Sequence, residues 1–551
     1  MDSVRQHNKP FDLYTLAVGL VAWAAAALIA FRAIVFSSFD LVFGGRGDGR
    51  LIVYLHEHLF KALQGRADLL SPPIFYPQRH ALGFTDAFIL DALPYAALRS
   101  IGLDPFLSVQ IWAIVLSLFC FLASLIICMR YLHLRLTFAV AASVLVTFPN
   151  NLLFKTATAH INFFAVYYVP CIVLLALWGV ENFPRLSRWS LTRLGLAAVL
   201  FGLLFSTGYY TAWMFAVTAA IALGAAAVLL RQHVIAAGRT YHRPLALLTA
   251  TAAAGFALGL IPFVLIYAPV VTAFPGRTFA EYLFYTPLPS DMIDVTQWNI
   301  VWGHIVERVF GDRGSERTLA VTPGMTAIFL IIGYRLVKRP KGDDCGSWQL
   351  TFILTCTAVW ALSWLLTVRI GSFSLFWLPY HIVPGAAAIR AGGRIQLLVN
   401  LWVVAGLAVA LQYWIERGPT SQKLRRLLIS SVVLIFCLIE QINLLPVTEL
   451  SRSREFAWLS TVPQPPALCR AFLVDVPSRR ASYLDENDAM WISLRTRLPT
   501  LNGNSGWVPH GWRLEDHTID YLDAARAWIA ATGLAQTVCL YNRSSRTWTM
   551  F

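Results

Sequence analysis

The chain carries little charge for its length. Asp, Glu, Lys and Arg make up 13% of its 551 residues, and a soluble globular domain carries roughly twice that share. Hydrophobic residues make up 57%, and the mean hydropathy is +0.60. The apolar residues stand in long blocks rather than along one face of a helix or strand. This composition excludes a soluble globular protein and predicts an integral membrane protein.

The sequence also lacks the patterns of nucleic-acid-binding and metal-binding proteins. Its net charge is +14, yet the basic residues lie in short connections and form no aromatic-basic platform for nucleic acid. The eight cysteines form no CxxC pair and no Cys/His ligand pattern. We therefore expect no nucleic-acid partner, no metal and no cofactor. Cys469 and Cys539 lie in the polar tail, where a disulfide and two free thiols fit the spacing equally well.

Eleven apolar blocks are long enough, or nearly so, to cross a bilayer of roughly 30 Å. In chain order they are 13–36, 107–129, 136–149, 162–180, 193–207, 209–230, 245–271, 321–336, 348–368, 393–414 and 427–447. The blocks 136–149 and 193–207 are short, which is typical of tilted partners or half-spans. The pattern predicts an all-α polytopic membrane protein of about eleven transmembrane helices.

Every second connection between the blocks is basic, which predicts the orientation of the chain. The positive-inside rule then puts the N-terminus in the cytoplasm and the long segments 37–106, 272–320 and 369–392 outside it. The polar tail falls on the outer side as well. The predicted domains are a transmembrane domain, 1–447, and a small α/β extracytoplasmic domain, 448–551. In the tail we expect strands at Ala471–Val476 and Thr537–Tyr541 and a helix at Tyr521–Ala531.

The first outer loop, 37–106, has the most informative pattern. Gly44–Arg50 reads GGRGDGR, and its glycines allow a tight turn that keeps Asp48 near the membrane surface. The next stretch, Leu51–Leu63, has apolar residues at helical spacing, which predicts an amphipathic helix in the membrane interface. The elements Phe75–Pro77 and Thr85–Ala87 follow.

A membrane helix, an outer-loop aspartate and an interfacial helix in this order resemble the GT-C superfamily of glycosyltransferases. Phe75–Pro77 and Thr85–Asp86 are similar to elements of an uncharacterised bacterial branch of GT-C-like membrane proteins. The resemblance implies a polyprenyl-phosphate-linked sugar donor and a glycan or lipid acceptor. It also implies chemistry at the periplasmic face of a bacterial cytoplasmic membrane, with Asp48 as the general base.

Further elements of this branch follow along most of the chain. Ala159–Asn162, Ser206–Tyr210, Ile389–Arg394 and Leu501–Trp507 resemble its recurring motifs, in the same order. Two positions depart from the pattern. Gly392 stands where a proline is usual, and Asn504 stands where an aromatic residue is usual.

The chemistry of sugar transfer selects the same residues independently. A base must take the proton of the acceptor hydroxyl as it attacks, and Asp48 is our candidate, with Asp86 as a second carboxylate that orients the acceptor. Before the resemblance is considered, an N-terminal helix cap explains Asp48 equally well. Arg390 and Arg394 are four residues apart and suit the leaving phosphate, although arginines at a helix end also anchor in lipid headgroups.

Other residues are weaker candidates for substrate binding. His381 lies on the same outer segment as the arginines, and His160 lies where a span meets the outer face. Tyr209 and Tyr210 can stack on sugar, but interfacial aromatic residues usually belong to the aromatic belt. Tyr76 belongs to the Phe-Tyr-Pro element. The acids Glu307, Asp312 and Glu316 show no ligand spacing, and we expect them to form a solvated face.

Taken together, the residues predict an inverting GT-C-type hexosyl- or pentosyltransferase. The alternatives are a membrane transporter or flippase and a non-catalytic factor of envelope polysaccharide assembly. The predicted spans hold almost no acids apart from Glu440, and no repeat is visible, which speaks against a transporter.

Overall fold

The computed structural model describes residues 12–271, 276–311, 313–338, 347–445, 450–476, 482–534 and 536–551. The N-terminal segment that we expect in the cytoplasm, and Asp312, lie outside the described residues. Most of the described chain is helical, which confirms the predicted all-α polytopic class.

The helices are numbered in chain order. The first twelve are α1 (Leu13–Ala30), α2 (Arg32–Phe36), α3 (Arg50–Leu63), α4 (Ile89–Ser100), α5 (Pro105–Ile126), α6 (Leu136–Thr147), α7 (Asn150–Thr158), α8 (Tyr168–Val180), α9 (Arg188–Thr207), α10 (Tyr209–Leu229), α11 (Arg231–Thr240) and α12 (His242–Gly259). The others are α13 (Ile261–Val271), α14 (Phe279–Phe284), α15 (Gly303–Phe310), α16 (Pro323–Lys338), α17 (Trp348–Thr367), α18 (Trp377–Ile382), α19 (Gln396–Glu416), α20 (Lys423–Ile439), α21 (Arg452–Ser460), α22 (Tyr483–Thr496) and α23 (Tyr521–Thr532).

Eight helical stretches of the described ranges are long and apolar enough to cross a membrane, and α12 with α13, bent by 52°, makes a ninth. The eight are Leu13–Ala30, Pro105–Tyr131, Leu136–Thr158, Ile161–Val180, Arg188–Thr207, Tyr209–Leu229, Trp348–Thr367 and Gly392–Glu416. The other two predicted blocks form α16 and α20, which have 16 and 17 residues. A full span takes about 20 residues, so these two helices are what separates the nine candidates from the predicted eleven.

The connecting segments meet at two opposite ends of the helix bundle. At one end, Asn150 Oδ1 accepts hydrogen bonds from Asn299 Nδ2 (3.1 Å) and Asn443 Nδ2 (3.0 Å). At the other end, Gln412 accepts from the Arg135 amide (2.7 Å) and donates to the His133 carbonyl (2.9 Å). The first set joins segments that we expect outside the cytoplasm, and the second set joins basic connections. We call the first end the site end.

The best-buried helix is α19, which packs against α6, α16 and α17. The pair α9 and α12 comes unusually close, because a Cβ atom on Gly259 would lie 2.2 Å from the Val199 carbonyl oxygen. Small residues allow such close helix contacts in membranes. By contrast, α1 lies at the edge of the bundle and buries only Thr15, Gly19 and Ala27.

The tail forms the expected α/β unit at the site end. Its strands are β3 (Ala471–Val474), β4 (Val538–Asn542) and β5 (Thr547–Met550), with β3 parallel and β5 antiparallel to the central β4. A separate two-residue hairpin, β1 (Arg369–Ile370) and β2 (Phe373–Ser374), precedes α18. Cys469 and Cys539 form a disulfide with 5.6 Å between their Cα atoms.

Helix α3 lies between the tail and the bundle. Its residues Arg50–Leu59 are all buried, and it packs against α4, α5 and the tail helix α22. The amphipathic pattern of the sequence predicts one wet face. In the structure, the tail covers the side that the bundle leaves open.

Candidate functional site

The turn that carries Asp48 packs against the segment before α8. Gly44 and Gly45 have positive φ angles of 78° and 65°, and a Cβ atom on Gly44 would lie 2.7 Å from the Ala159 carbonyl oxygen. Glycine is therefore required for the turn to approach this segment. The approach places Asp48 Oδ2 2.6 Å from His160 Nδ1. The alternative role of Asp48 as a cap is not realised, because no side chain caps α3.

His160 links Asp48 to a buried group of charges. Its Nε2 lies 3.2 Å from Glu316 Oε1. Glu316 in turn accepts hydrogen bonds from Arg394, with Nε to Oε2 at 2.8 Å, and its Oε1 lies 2.8 Å from Lys155 Nζ. We refer to Asp48, Lys155, His160, Glu316 and Arg394 as the Asp48 cluster. The structure thus brings the predicted Asp48, His160 and Arg394 together.

The two carboxylates of the Asp48 cluster are ionised at neutral pH. Burial raises the pKa of Asp48, but the His160 hydrogen bond and the charges of Arg394 and Lys155 outweigh it and lower the pKa below its usual value. Burial likewise opposes ionisation of Glu316, but Arg394 and Lys155 hold its pKa well below the usual range. Two anions therefore face two cations, with the histidine between the anions.

The cluster is closed at its cations and open at Asp48. The Lys155 side chain is 0% exposed, that of Arg394 is 5% exposed, and that of Asp48 is 36% exposed. The Arg394 guanidinium also lies over the rings of Tyr210 (4.6 Å) and Phe163 (5.2 Å). Such cation–π contacts fix the guanidinium plane. Asp48 is therefore the most exposed member of the cluster.

Arg390 does not join Arg394 on one helix face. Helix α19 begins only at Gln396, and Gly392–Ile395 forms a tight turn before it. Instead, the Arg390 amide donates to Tyr210 Oη (2.7 Å), and its guanidinium lies over the Tyr285 ring. A Cβ atom on Gly392 would lie 2.2 Å from Tyr282 Oη, so the proline usual at this position would not fit here.

Asp86 does not contact the members of the Asp48 cluster directly. It lies beside the N-terminus of α10 and accepts hydrogen bonds there. Its Oδ1 accepts from the Tyr209 amide (3.1 Å), and its Oδ2 accepts from Asn162 Nδ2 (2.9 Å). Burial raises the pKa of Asp86, and these two hydrogen bonds only partly offset the effect. Tyr209 also ties α10 to another segment, since its hydroxyl donates to the Gly385 carbonyl (2.8 Å). Both residues hold the loops around the cluster together.

His381 and Tyr76 lie apart from the Asp48 cluster. His381 is exposed on α18, where Nδ1 faces the Trp377 carbonyl at 2.8 Å. Tyr76 donates its hydroxyl to Gln536 Oε1 (3.2 Å) in the tail, and its carbonyl accepts from Trp528 Nε1 (2.9 Å). These contacts are local or structural.

Sequence reasoning missed two members of the cluster. Glu316 was expected on a solvated face, and that prediction is wrong, because the side chain is only 13% exposed and pairs with two cations. Glu307, from the same expected face, is exposed. Lys155 directly follows the apolar Leu152–Phe154. A lysine beside an apolar run is costly to bury, so it could have been recognised as a candidate site residue.

The tail holds the turn that carries Asp48. Asn487 of α22 donates to the carbonyls of Arg46 (3.2 Å) and Gly47 (2.9 Å), and the Tyr483 ring packs on Gly47. Trp491 Nε1 donates to the Arg50 carbonyl at 3.2 Å. The position of Asp48 therefore depends on contacts between α22 and the turn.

A second set of buried charges joins α3 to the tail. Arg50 is 0% exposed, with Nη1 2.6 Å from Asp488 Oδ1 and Nε 3.0 Å from Glu455 Oε2. Arg543 Nη1 also reaches Asp488 Oδ2 at 2.7 Å, and its Nη2 contacts Asp485. We refer to Arg50, Glu455, Asp485, Asp488 and Arg543 as the Arg50 cluster.

Two further features bear on function. Glu440 accepts from the amides of Gly324 and Met325, both at 2.8 Å, and so caps α16. An apolar cavity of about 790 Å³ lies between α1, α6 and α20, and its lining runs from Tyr14 to Phe43 at the site end. Among the residues that the structure describes, no group of three or more His, Cys, Asp or Glu could hold a metal ion.

Comparison with known proteins finds similar solved structures but no similar sequence. No protein-family model and no curated protein matches the sequence. The fold is similar to the crystal structure of the Archaeoglobus fulgidus oligosaccharyltransferase in the apo form, with a TM-score of 0.49 and 11% identity. The match covers 96% of this chain and 70% of that chain. A likeness of this degree assigns neither an activity nor a substrate.

Proposed function

We propose that the chain is an inverting GT-C-type glycosyltransferase that moves a sugar from a polyprenyl-phosphate donor to a glycan or lipid acceptor. The observation that carries the proposal is that Asp48 and Arg394, far apart in the sequence, belong to one cluster. The partly exposed Asp48 carboxylate can act as a base, and the two buried cations of the same cluster can bind a phosphate.

Asp48 takes the proton in this proposal. The acceptor oxygen forms a bond to the anomeric carbon while the bond from that carbon to the phosphate oxygen breaks, and the electron pair leaves with the phosphate. The hydroxyl proton passes to Asp48. Because the pKa of Asp48 is lowered, the carboxylate is a weak base. The proton therefore transfers as the oxocarbenium-like centre makes the hydroxyl acidic, and direct displacement inverts the configuration.

Arg394 and Lys155 bind the leaving phosphate. Both are buried, and the low local dielectric strengthens their attraction for developing negative charge. The Tyr210 ring stacks on the Arg394 guanidinium and fixes its orientation. Asp86 and Tyr209 hold the surrounding loops, so we assign them to positioning rather than to acceptor binding. His381 and Tyr76, which lie apart from the cluster, have no role in this step.

The site end is assigned to the periplasmic face of a bacterial cytoplasmic membrane. Three features support this orientation. The basic connections gather at the opposite end, as the positive-inside rule requires of cytoplasmic loops. The tail at the site end carries the Cys469–Cys539 disulfide, which suits an oxidising compartment. The apolar cavity beside α1 runs along the bundle to the site end and can hold the chain of the donor lipid.

The tail, 448–551, is assigned as a periplasmic domain that packs on the transmembrane domain, 1–447, and supports its site. Its helix α22 contacts the backbone of the turn before Asp48. We infer that the tail positions the base and that sugar transfer depends on it.

The direct test is Asp48→Asn in membranes supplied with labelled polyprenyl-phosphate sugars. The expected result is a loss of transfer of about 100-fold to 10,000-fold with retained expression, because the amide cannot accept the proton. The matched control is Asp68→Asn, which changes an exposed aspartate of the same loop. Equal transfer by Asp48→Asn and the unsubstituted protein would remove Asp48 as the base.

A further inference from the structure

Glu316 makes the contacts with Arg394 and Lys155 that a phosphate could make. One of its oxygens accepts from Arg394 Nε (2.8 Å), and the other contacts Arg394 Nη2, Lys155 Nζ (2.8 Å) and His160 Nε2 (3.2 Å). This is a bidentate contact with the guanidinium plus a contact with the lysine. Carboxylates and phosphates use the same fork of guanidinium donors, so the two anions compete for it.

Glu316 supplies most of the charge that the two cations face. The other contacts of Lys155 Nζ are to the neutral Ser315 carbonyl (3.2 Å) and Ser315 Oγ (3.3 Å). Besides Glu316, Arg394 Nη2 lies 3.4 Å from His160 Nε2, and the guanidinium lies against the rings of Tyr210 and Phe163. A buried cation without an anionic partner is costly, so a carboxylate in this place stabilises the site when no phosphate is bound.

We propose that Glu316 is an internal stand-in for the donor phosphate, which leaves Arg394 and Lys155 when a phosphate binds. The identification of the ligand as a lipid-linked phosphate rests on the proposed function. The exchange keeps two cations paired in both states. It also makes phosphate binding weaker than it would be with the cations free, because the phosphate must displace a bound carboxylate.

The segment that carries Glu316 is anchored on both sides of it. Arg313 and Arg317 pair with the buried Asp291 at 2.6 and 2.7 Å. Because these contacts hold the backbone, the proposed exchange needs only the Glu316 side chain to turn away from the two cations.

The test measures binding of a polyprenyl monophosphate, which carries the chain and phosphate of the donor but no sugar. The full chain in nanodiscs is titrated with this probe and with the corresponding polyprenyl alcohol. Glu316→Gln keeps the size of the side chain and removes its charge. It should bind the phosphate probe about tenfold more tightly than the unsubstituted protein, with no change for the alcohol. Adding Arg394→Gln to Glu316→Gln should abolish the gain.

A control variant distinguishes competition between Glu316 and the phosphate from a general effect of removing one negative charge. Glu307→Gln removes an exposed carboxylate of the same outer segment and should leave binding unchanged. If Glu316→Gln binds the phosphate probe equally or less tightly, Glu316 is not a stand-in and the proposal fails. Equal gains for the phosphate and the alcohol would also overturn it, since the carboxylate would then not compete for the cations.

A further variant decides the question if Glu316→Gln does not fold. Glu316→Asp keeps the charge on a shorter side chain and should give an intermediate gain for the phosphate probe. No gain in Glu316→Asp overturns the proposal. Failure of the proposed function looks different, because then no variant transfers labelled sugar while the binding gain of Glu316→Gln remains.

Discussion

Asp48 and Arg50 are two residues apart, and each belongs to a different group of buried charges. The Asp48 cluster ends in a carboxylate whose side chain is 36% exposed, whereas the Arg50 side chain is 0% exposed. Both groups join distant parts of the chain, and both contain arginine paired with carboxylates. They differ in access, because the Asp48 cluster opens outward and the tail closes over Arg50.

This difference separates a chemical role from a structural one. A closed charge group specifies how two parts of the chain fit together, and removing one partner leaves an uncompensated charge. An open group can exchange its partner for a ligand. Gly49 lies between them, and a Cβ atom there would meet the Phe43 carbonyl oxygen at 2.6 Å. The close packing of this glycine holds the structural cluster next to the chemical one.

The largest effect is expected from Arg50→Met. The substitution leaves Asp488 and Glu455 buried with one cation fewer, at a cost of about 3–5 kcal/mol in free energy of unfolding. We expect a clear fall of the thermal midpoint in detergent and faster proteolysis of the tail. The matched control is Arg526→Met, whose ion pair with Asp523 is exposed and contributes about 1 kcal/mol or less. Similar midpoints for the two variants would contradict the structural role of the Arg50 cluster.

An intermediate effect is expected from Asn487→Ala. It removes the two hydrogen bonds that hold the Arg46 and Gly47 carbonyls, and so loosens the turn that aims Asp48. A misplaced base lowers the rate of the chemical step, so we expect kcat to fall about tenfold with the KM for the donor unchanged. The substitution also removes the hydrogen bond that Asn487 Oδ1 accepts from Asn504 Nδ2 (3.1 Å). Three hydrogen bonds contribute about 2–4 kcal/mol together, so the thermal midpoint should fall less than in Arg50→Met.

The control for this prediction is Asn542→Ala, which removes a hydrogen bond to Asp475 within the tail. It should leave kcat unchanged. A rise of KM with normal kcat in Asn487→Ala would mean that α22 shapes the donor site rather than the base, and that the comparison of the two clusters misplaces the role of the tail.

Much of the fold follows from the sequence, because the signals are local. Apolar blocks predict helices, since an isolated span must satisfy its own backbone in lipid. In the tail, β3, β4 and α23 lie within one or two residues of the predicted ranges, because short apolar runs and a helical period are local signals. The helices α21 and α22 and the strand β5 were not among the predicted elements. The span count differs from the prediction at α16 and α20, because their 16 and 17 residues are shorter than a full span of about 20.

The site follows from the sequence only in part, because its contacts are between distant positions. Asp48, His160 and Arg394 were expected from motifs, but Glu316, which pairs with both His160 and Arg394, has no local signal. The expected Arg390–Arg394 pair assumed a helix, and the chain there forms a tight turn instead. Burial of α3 depends on the tail, which lies hundreds of residues away in sequence and whose docking no periodicity encodes.

The smallest effect is expected from Glu515→Gln, which tests a half-buried acid that has no cation paired with it among the described residues, unlike the acids of both clusters. Glu515 Oε1 has no hydrogen-bond partner, and burial raises the pKa of Glu515 from 4.5 to about 6. The raised pKa means that Glu515 holds its proton more tightly in the folded state than in the unfolded state. Ionised Glu515 therefore destabilises the fold: the loss of stability is absent below pH 4.5 and complete above about pH 6. Glutamine removes it and should add about 1–2 kcal/mol of stability at pH 7.5 and none at pH 4. Thermal midpoints at both pH values measure this, with Asp523→Asn as the exposed control. An equal gain at both pH values would mean that the charge of Glu515 is not what destabilises the tail.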